Sequence, residues 1–499
     1  MKSIDVLFLH PPRIFAKDYL EVRSAFAMLP VGLVALADYL EKSGYTTRIL
    51  NIPMEIHFNK NFRLSTYLKS VEIKICAIDL HWILNAFGAI QTAKIVKNFN
   101  SNIKVIVGGF SATHFHEDLI NYSSIDVVVR GEGEEPLLQL VNHLLKGNPQ
   151  MKDIPNITFK QNGKVYQTAI RYTAKNLDFL SFSRMELMEN WKNYTRMIPS
   201  VSIMMGRSCP FKCGYCGGGK EAYYQLHKRR NVILRDPKLI VEDIVHLKNL
   251  YPKLKLIDLT HGYYPEIHQF WMILLQLIKK ENLDLGAIFE VWDLPAKDSF
   301  LQRAIKTFDV KRSFLNFSVH TFSERVRKVF VKLGDPKFSF LNSEVYNLIK
   351  KCGNLYLPLV LWITVGNPYE TVKDIMINLK HILKITNEYI LKYKQAILFI
   401  NTAILISPSS PAFLNEKKFG VDIQVKSFQD FYSLFRDLRY SKGFLDDPVT
   451  YDTLYLSKRK IKILNNIFQG ISLIPIILSL INLKTHINTQ ITNLKIQNK

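Results

Sequence analysis

The sequence predicts an α/β protein built from two successive βα series, and three observations predict it. Short apolar runs alternate with stretches of helical period across residues 4–129, and a second alternation of the same kind starts at Val201. Three of the five cysteines then fall directly after the first run of the second series, as Cys209-Pro-Phe-Lys-Cys213-Gly-Tyr-Cys216. With 499 residues, 47% hydrophobic and 22% charged, the chain has material for several cores, which excludes a disordered or fibrous protein.

Residues 4–9 form an apolar run that stops at His10-Pro11-Pro12, and 31–40 repeat apolar side chains at helical spacing up to Gly44. Further strands are expected at 46–50, 73–78, 104–107 and 125–129, with a helix over 86–99. Such βαβ repetition implies a parallel, doubly wound sheet whose ligand crevice opens at the strand C-termini. The residues that fall there are His10 and Pro11 after the first strand, and His81 in Asp79-Leu80-His81 after the third. Gly108, Gly109 and Ser111 follow the fourth strand, and Gly131, Glu132 and Gly133 the fifth. The double glycine suits close backbone approach by a bulky ligand, although a turn after a buried strand asks for small residues as well.

Residues 157–160 and 164–166 flank Asn162-Gly163, a strong hairpin signal, inside a segment 151–195 expected to link and position the two halves. From Ser200 the second series supplies strands at 201–205, 255–259, 286–291, 314–319, 359–365 and 396–400, with helical spacers such as 237–250. Six such units make a partial barrel rather than a closed eight. The cysteine loop follows the first of these strands, so it falls at a strand C-terminus, where barrel folds carry their chemistry.

Iron in iron–sulfur clusters is held by cysteine thiolates, ordinarily four for a cubane. Three on one loop wrap a cube and leave one iron open to a small molecule. Pro210 and the Gly217-Gly218-Gly219 run suit such a tight loop. A structural zinc site closes its shell with four Cys or His ligands in two spaced pairs, and neither Cys352 nor His227, the nearest candidates, makes a pair. Disulfides are not expected from five scattered cysteines without a secretory leader, which point to a reducing, cytoplasmic setting. The net charge of +23 is spread along the chain and no nucleic-acid-reading motif accompanies it, so nucleic acid is not an expected partner.

The C-x3-C-x2-C loop, with Tyr215 before its last cysteine, resembles the cluster loop of the radical S-adenosylmethionine (SAM) enzymes. Taken in order with His-Pro-Pro, Gly-Gly-Phe-Ser-Ala and Arg-Gly-Glu-Gly-Glu upstream, the layout resembles the cobalamin (B12)-binding-domain radical SAM enzymes of class B. The resemblance implies a Rossmann-like, flavodoxin-like cobalamin-binding domain over 1–150 and a linker with hairpin over 151–195. A partial TIM-type (β/α)6 radical SAM barrel over 196–412 and a helical C-terminal extension over 413–499 complete the implied chain.

The cofactors implied are a [4Fe-4S] cluster on Cys209, Cys213 and Cys216, SAM and cobalamin. SAM contacts fall on Tyr215, on Asp258 where the family carries Gly-Gly-Glu, on Glu290, on Ser318 and His320, and on Gly366 in Gly-Asn-Pro-Tyr-Glu-Thr. Glu290 equally suits pairing with an interior Lys or Arg. Cobalamin contacts fall on His10, Pro11, His81, Gly108, Gly109, Ser111, Gly131, Glu132 and Gly133. The histidine motif Asp-x-His-x-x-Gly is absent after the first strand, and Asp79-Leu80-His81 has Leu84 at its last position, so the resemblance implies cobalamin without histidine on cobalt, with loss of cobalamin from this copy as the alternative.

The implied reaction is reductive cleavage of SAM, hydrogen abstraction from an unactivated carbon and methyl transfer. Radical cyclisation, C–C coupling or rearrangement is the second reading, and a non-catalytic cobalamin-binding or sensing module the third. No catalytic side chain is assigned. The implied partners are an external one-electron reductant of flavodoxin or ferredoxin type and a small-molecule, natural-product or lipid substrate.

In the last 90 residues or so, 428–438 has amphipathic helical spacing. Tyr451-Asp452-Thr453 is similar to a segment seen in cobalamin radical SAM enzymes. Residues 467–483 are strongly apolar but interrupted by Gly470 and Pro475, and are short for a membrane span. With Lys458-Arg459-Lys460 and Lys462 before it, the region 463–483 suits peripheral contact with an anionic bilayer. A core helix pair or a substrate lid are the other readings of the same residues.

Overall fold

The computed structural model describes residues 2–13, 29–194, 200–437 and 449–497. In the first half, β1 (Lys2–His10), β2 (Thr47–Asn51), β3 (Val71–Asp79), β4 (Lys104–Gly108) and β5 (Val127–Val129) lie parallel in the order 2-1-3-4-5. This is the flavodoxin-like doubly wound arrangement. β1 and β3 are apolar along most of their length because both faces are covered. Val6, Phe8 and Ile75 meet the core under helix Val31–Lys42, while Leu7, Leu9 and Cys76 meet the core under helix Ala86–Phe99. A side chain at Gly88 would put its Cβ 1.6 Å from the Pro12 carbonyl oxygen, so this glycine lets the loop after β1 lie on helix Ala86–Phe99.

The hairpin β6 (Ile157–Gln161) and β7 (Lys164–Gln167) does more than link. β6 pairs antiparallel with β5, so the first sheet has seven strands and runs past residue 150. The pairing occupies the hydrogen-bonding edge that β5 otherwise leaves open. Asn162 (φ 52°) and Gly163 (φ 78°) are both left-handed, as the turn between these strands requires.

The second half is a six-stranded, all-parallel sheet in sequence order: β8 (Val201–Ile203), β9 (Leu256–Leu259), β10 (Gly286–Val291), β11 (Phe314–His320), β12 (Leu359–Val365) and β13 (Ile397–Ala403). β8 is shorter than the expected 201–205, because residues 206–207 leave the sheet to pair antiparallel with 233–234. A cavity of about 460 Å³ lies at the N-terminal end of the barrel among Cys352, Pro358, Tyr393 and Gln395, opposite the cysteine loop.

The C-terminal extension returns to both halves. Helix Phe428–Asp437, expected to reach Leu438, which lies outside the described residues, packs Phe428 and Phe431 on Phe115 of the first domain. β14 (Val421–Ile423) and β15 (Tyr451–Thr453) form an antiparallel pair. Lys458–Gln497 is one helix rather than a helix pair, continuous through Gly470 and Pro475. It runs along β13, the edge strand of the barrel. Ser479 Oγ accepts from Ile397 N at 3.1 Å and donates to Ile397 O, and Asn401 Nδ2 donates to Ser472 Oγ and to Phe468 O. These bonds give partners to groups that an open sheet edge leaves bare.

Candidate functional site

The cysteine loop leaves β8 at the C-terminal mouth of the barrel. Ser208 turns the chain with φ 76°, Cys213 is buried, and Cys209 and Cys216 are half-buried. Cys216 N donates to Cys213 O at 3.1 Å, and Lys220 N donates to Phe211 O at 2.8 Å as helix Lys220–His227 begins. The segment after β13 clamps this loop from outside, with Ser407 N donating to Tyr215 O (3.0 Å) and Ala412 N to Gly214 O (2.7 Å). A Cβ at Gly214 would fall 2.4 Å from the Phe419 ring, and one at Gly217 2.8 Å from Ser407 Cβ. These two glycines therefore make room for protein packing, while Gly218 N donates to Cys216 Sγ at 3.3 Å.

Burial raises all three thiols above the ordinary cysteine value, Cys209 to about 12, so loading a metal displaces a proton from each. Among the described residues, no three His, Cys, Asp or Glu side chains converge on one ion, the cysteine trio included. A tetrahedral zinc ion needs such convergence. Three thiols on one loop, with no fourth cysteine or histidine beside them in the sequence, are the donor set of a cluster with one free corner.

Beside the trio lies Lys337, buried in the short turn Pro336–Phe338, its ammonium 5.8 Å above the Phe211 ring. Burial alone pulls its pKa down, but Cys213, Glu290, Cys209 and Asp335 push it up to about 12. The sequence reading missed this cation, because one buried lysine has no signature among so many surface ones.

The SAM candidates on β9 to β11 come together at the same mouth. Tyr215 Oη and His320 Nε2 are 2.5 Å apart, and His320 Nδ1 meets Thr364 Oγ1 at 3.3 Å. His320 has φ 57° and sits at a register shift that ends β11. Glu290 accepts from Ser318 Oγ (3.3 Å) and Trp292 Nε1 (2.8 Å), with Lys337 as the nearby cation. Asp258 accepts from Ser202 Oγ at 3.3 Å, and burial, followed by the charge of Glu290, holds its carboxyl above the usual range. Next to it His261 is buried, its Nε2 without a hydrogen-bond partner and its ring centroid 4.5 Å from that of Trp292.

Gly366 is occupied differently from the sequence expectation. Its φ is 86°, and a Cβ there would lie 2.7 Å from Tyr451 Oη and 2.9 Å from Ile461. Tyr451 Oη donates to Gly366 O at 2.9 Å, so the C-terminal extension packs against Gly366 on the side a Cβ would occupy. Glu370 is buried and accepts from Gly366 N (2.8 Å) and Asn367 N (3.1 Å), while Thr371 caps the helix Val372–Ile385.

In the first domain, His81 and Ser111 line a slot with Trp82 and Phe110, closed on the barrel side by Gly217, Leu226 and Pro408. Ser111 Oγ donates to His81 O at 3.0 Å. Gly109 (φ 117°) is required by protein packing, since a Cβ would sit 2.7 Å from the His81 backbone; a Cβ at Gly108 would meet Val129 at 3.6 Å. His10 Nδ1 pairs with Asp79 Oδ2 at 3.0 Å, and Pro11 O accepts from Asn85 Nδ2 at 2.8 Å. His227, which the sequence offered only as an unpaired zinc candidate, is buried at this boundary with neither ring nitrogen partnered, 4.3 Å from Phe110 between centroids.

The Arg-Gly-Glu-Gly-Glu segment joins the two halves. Glu132 is buried and bonded by Arg229 and Arg207, and Arg207 Nη2 donates to Glu134 Oε1 at 2.6 Å. The carboxylate of Glu132 is thus used by the protein. Gly131 N donates to Thr113 Oγ1 at 2.9 Å, and a Cβ at Gly133 would meet Val129 and Leu36 side chains at 3.7 and 4.0 Å. The slot between His81 and Gly217, about 60 Å³ and mostly apolar with a histidine and a serine in its lining, lies between the first sheet and the cysteine loop.

Comparison with known proteins agrees with this geometry. Residues 21–141 match the B12 binding domain family. An uncharacterized methyltransferase of Pyrococcus horikoshii is 35% identical over 136 residues, 27% of this chain and 29% of that protein. An anaerobic magnesium-protoporphyrin IX monomethyl ester cyclase of Cereibacter sphaeroides is 27% identical over 250 residues, 49% of this chain and 38% of that protein. The chain thus spans well under half the length of these curated relatives. The radical SAM methyltransferase TsrM from Kitasatospora setae, solved with cobalamin and a [4Fe-4S] cluster bound, superposes with a TM-score of 0.62 at 13% identity, over 82% of this chain and 77% of that one. The chain therefore carries a B12 binding domain and shares its overall fold with cobalamin-dependent radical SAM enzymes of known structure.

Proposed function

We propose that this protein cleaves SAM reductively at a [4Fe-4S] cluster on Cys209, Cys213 and Cys216 and uses cobalamin to methylate an unactivated carbon of a small molecule. The observation that carries this reading is the slot in which His81 and Ser111 of the B12-binding sheet face Gly217 of the cysteine loop. When bound, the cluster supplies the electron that opens SAM and cobalamin supplies the methyl group.

The chain's own residues hold, orient and exclude. The three cysteines anchor the cluster, and the clamp from Ser407 and Ala412 fixes their loop. Tyr215 and His320 brace each other beside it. Asp258, Glu290 and Ser318 present polar groups toward the amino, carboxylate and ribose parts of SAM, with Lys337 as a balancing cation. His81 and Ser111 line the corrin face, His10 braces Asp79 behind them, and Gly108, Gly109 and Gly131 shape the backbone there. An external one-electron reductant of flavodoxin or ferredoxin type and a small-molecule, natural-product or lipid substrate complete the reading.

The test is anaerobic reconstitution with iron and sulfide, followed by SAM and a reductant. Formation of 5'-deoxyadenosine, lost when any of the three cysteines is changed to alanine, is the expected result. Its absence from loaded protein leaves only the non-catalytic cobalamin-binding or sensing reading. The cyclase relative favours one second reading, radical cyclisation, C–C coupling or rearrangement without net methylation. Consumption of methylcobalamin with substrate separates the two, since only methyl transfer requires it.

A further inference from the structure

Over residues 458–483 the last helix turns polar side chains among the apolar ones of its buried face and large apolar ones to solvent. Toward the protein it turns Asn465, Ser472, Ser479 and Asn482, all less than 9% exposed, and the last three bond the edge strand and the segment beside it. Ser479 bonds Ile397, and Asn482 Nδ2 donates to Ile390 O at 2.9 Å and to Gln395 O at 3.2 Å. Toward solvent it turns Ile463 (49% exposed), Ile467 (51%), Ile474 (64%), Ile477 (56%) and Ile481 (56%). Their spacing follows steps of three and four, with Gly470 at the one missing position, so they form a single stripe along the helix.

The exposed apolar surface does not end with this helix. Asn482 bonds the turn that follows helix Val372–Ile385, and that neighbouring element exposes Met376, Leu383 and Leu391. An exposed stripe of large apolar side chains of this kind marks a contact surface. At the start of the helix, Lys458, Arg459, Lys460 and Lys462 are all exposed, and residues 458–499 contain no Asp or Glu.

We propose that the helix face of residues 458–483 is a monotopic docking surface for an anionic lipid bilayer. The basic first turn meets headgroup phosphate, and the isoleucine stripe enters the upper acyl region. The helix does not span, because Ser472, Ser479 and Asn482 fasten one side of it to β13, and stripping them into hydrocarbon would leave their hydrogen bonds unmade. A second copy of this chain is a poorer occupant. Each molecule carries a net charge of +23, which opposes the pairing of two copies. The proposal goes beyond the reaction proposed above and does not depend on it.

The test uses the full chain in flotation with vesicles of pure phosphatidylcholine, or of phosphatidylcholine with about 30% phosphatidylglycerol. Binding to the anionic vesicles is expected to be about tenfold tighter than to the neutral ones and to weaken in high salt. Ile474→Asp and Ile477→Asp, at exposed positions, are expected to lose binding to both compositions with an unchanged circular dichroism melting curve. Changing Lys458, Arg459, Lys460 and Lys462 together to Gln is expected to remove only the preference for anionic lipid. Failure of the unaltered chain to float with either vesicle overturns the proposal, as does equal flotation of the Ile474→Asp protein. A doubled mass in sedimentation equilibrium, restored to monomer by Ile474→Asp without vesicle binding, assigns the face to a second copy and overturns it too.

Discussion

Arg229 and Glu132 meet across the boundary between the two sheets, both buried, with Arg229 Nη2 donating to Glu132 Oε2 at 2.8 Å and Arg229 Nε to the other carboxylate oxygen. Arg207, which ends two residues before the first cluster cysteine, reaches the same carboxylate at 2.9 Å. One buried anion therefore ties the strand leading into the cysteine loop, the helix leaving it and the B12-binding sheet.

Removing that anion leaves the buried Arg229 guanidinium without a carboxylate partner and Arg207 with Glu134 alone. Glu132→Ala is expected to cost about 3–5 kcal/mol in urea unfolding of the cofactor-free protein, and Glu132→Gln less, because the amide oxygen still accepts. Burial alone would raise the Glu132 carboxyl, but the Arg229 hydrogen bond and the charges of Arg207 and Arg229 outweigh it and hold the pKa below the usual carboxylate value. The stabilisation is therefore present above that usual value and is lost as pH falls through the depressed one. The unaltered protein should lose stability in acid more steeply than Glu132→Gln, and parallel acid curves would remove the ion pair from the account.

The cysteines divide by position into two classes that iron analysis can separate. Alanine at Cys209, Cys213 or Cys216 is expected to abolish cluster loading. Cys76 is buried in β3 and Cys352 in helix Asn342–Asn354, and burial pushes Cys352 to about 12. Alanine at either should leave iron content unchanged at a cost of about 1 kcal/mol in stability. A drop in iron on changing Cys352 would instead identify a fourth ligand.

The same division explains what the sequence made legible. Gly286–Val291, Leu359–Val365, Ala86–Phe99 and Pro237–Leu250 have the bounds read from hydrophobic period alone, because each buries a continuous apolar set that no long-range partner has to define. The cysteine loop was legible because three thiols at that spacing have few uses. Edge pairing was not, since β6 joins β5 through backbone groups that any sequence carries. Gly109 and Gly366 looked open to a ligand, yet the His81 backbone and the Tyr451 and Ile461 side chains occupy that space, the last two from about 90 residues away. Glu132 looked like a crevice residue because its partner Arg229 lies 97 positions later. Pro475 looked like a helix break, but it removes one N–H in a helix held by side-chain bonds to β13.

Lys337 offers a test of the electrostatics around the cluster that does not depend on turnover. Its buried ammonium sits in the field of Cys209, Cys213 and Glu290 and compensates negative charge there. Lys337→Met keeps much of the packing on Phe211 and removes the charge. Loss of one nearby cation should disfavour the reduced, more negative cluster by about 1 kcal/mol, which lowers the midpoint potential by roughly 40 mV. Redox titration followed by electron paramagnetic resonance measures this, and an unchanged or raised potential would show that Lys337 is only a packing residue.

Glu370 gives a pH dependence of the opposite sign. Burial is the largest influence on it and pushes its pKa up to about 8, against the hydrogen bonds from Asn367 and Gly366 N–H. A carboxyl whose folded value is raised is neutral in the native state while the unfolded chain is already ionised, so its stabilisation is complete below the ordinary glutamate range and is lost as pH rises toward 8. The unaltered protein is expected to lose on the order of a few kcal/mol between pH 5 and 8 through this group. Glu370→Gln is permanently neutral and still accepts from Gly366 N and Asn367 N, so its melting temperature should stay level across that interval and exceed the parent's at pH 8. A Gln variant less stable than the parent at pH 8 would mean that the three donors around the carboxylate keep it ionised and that the turn after β12 is held by a charged glutamate.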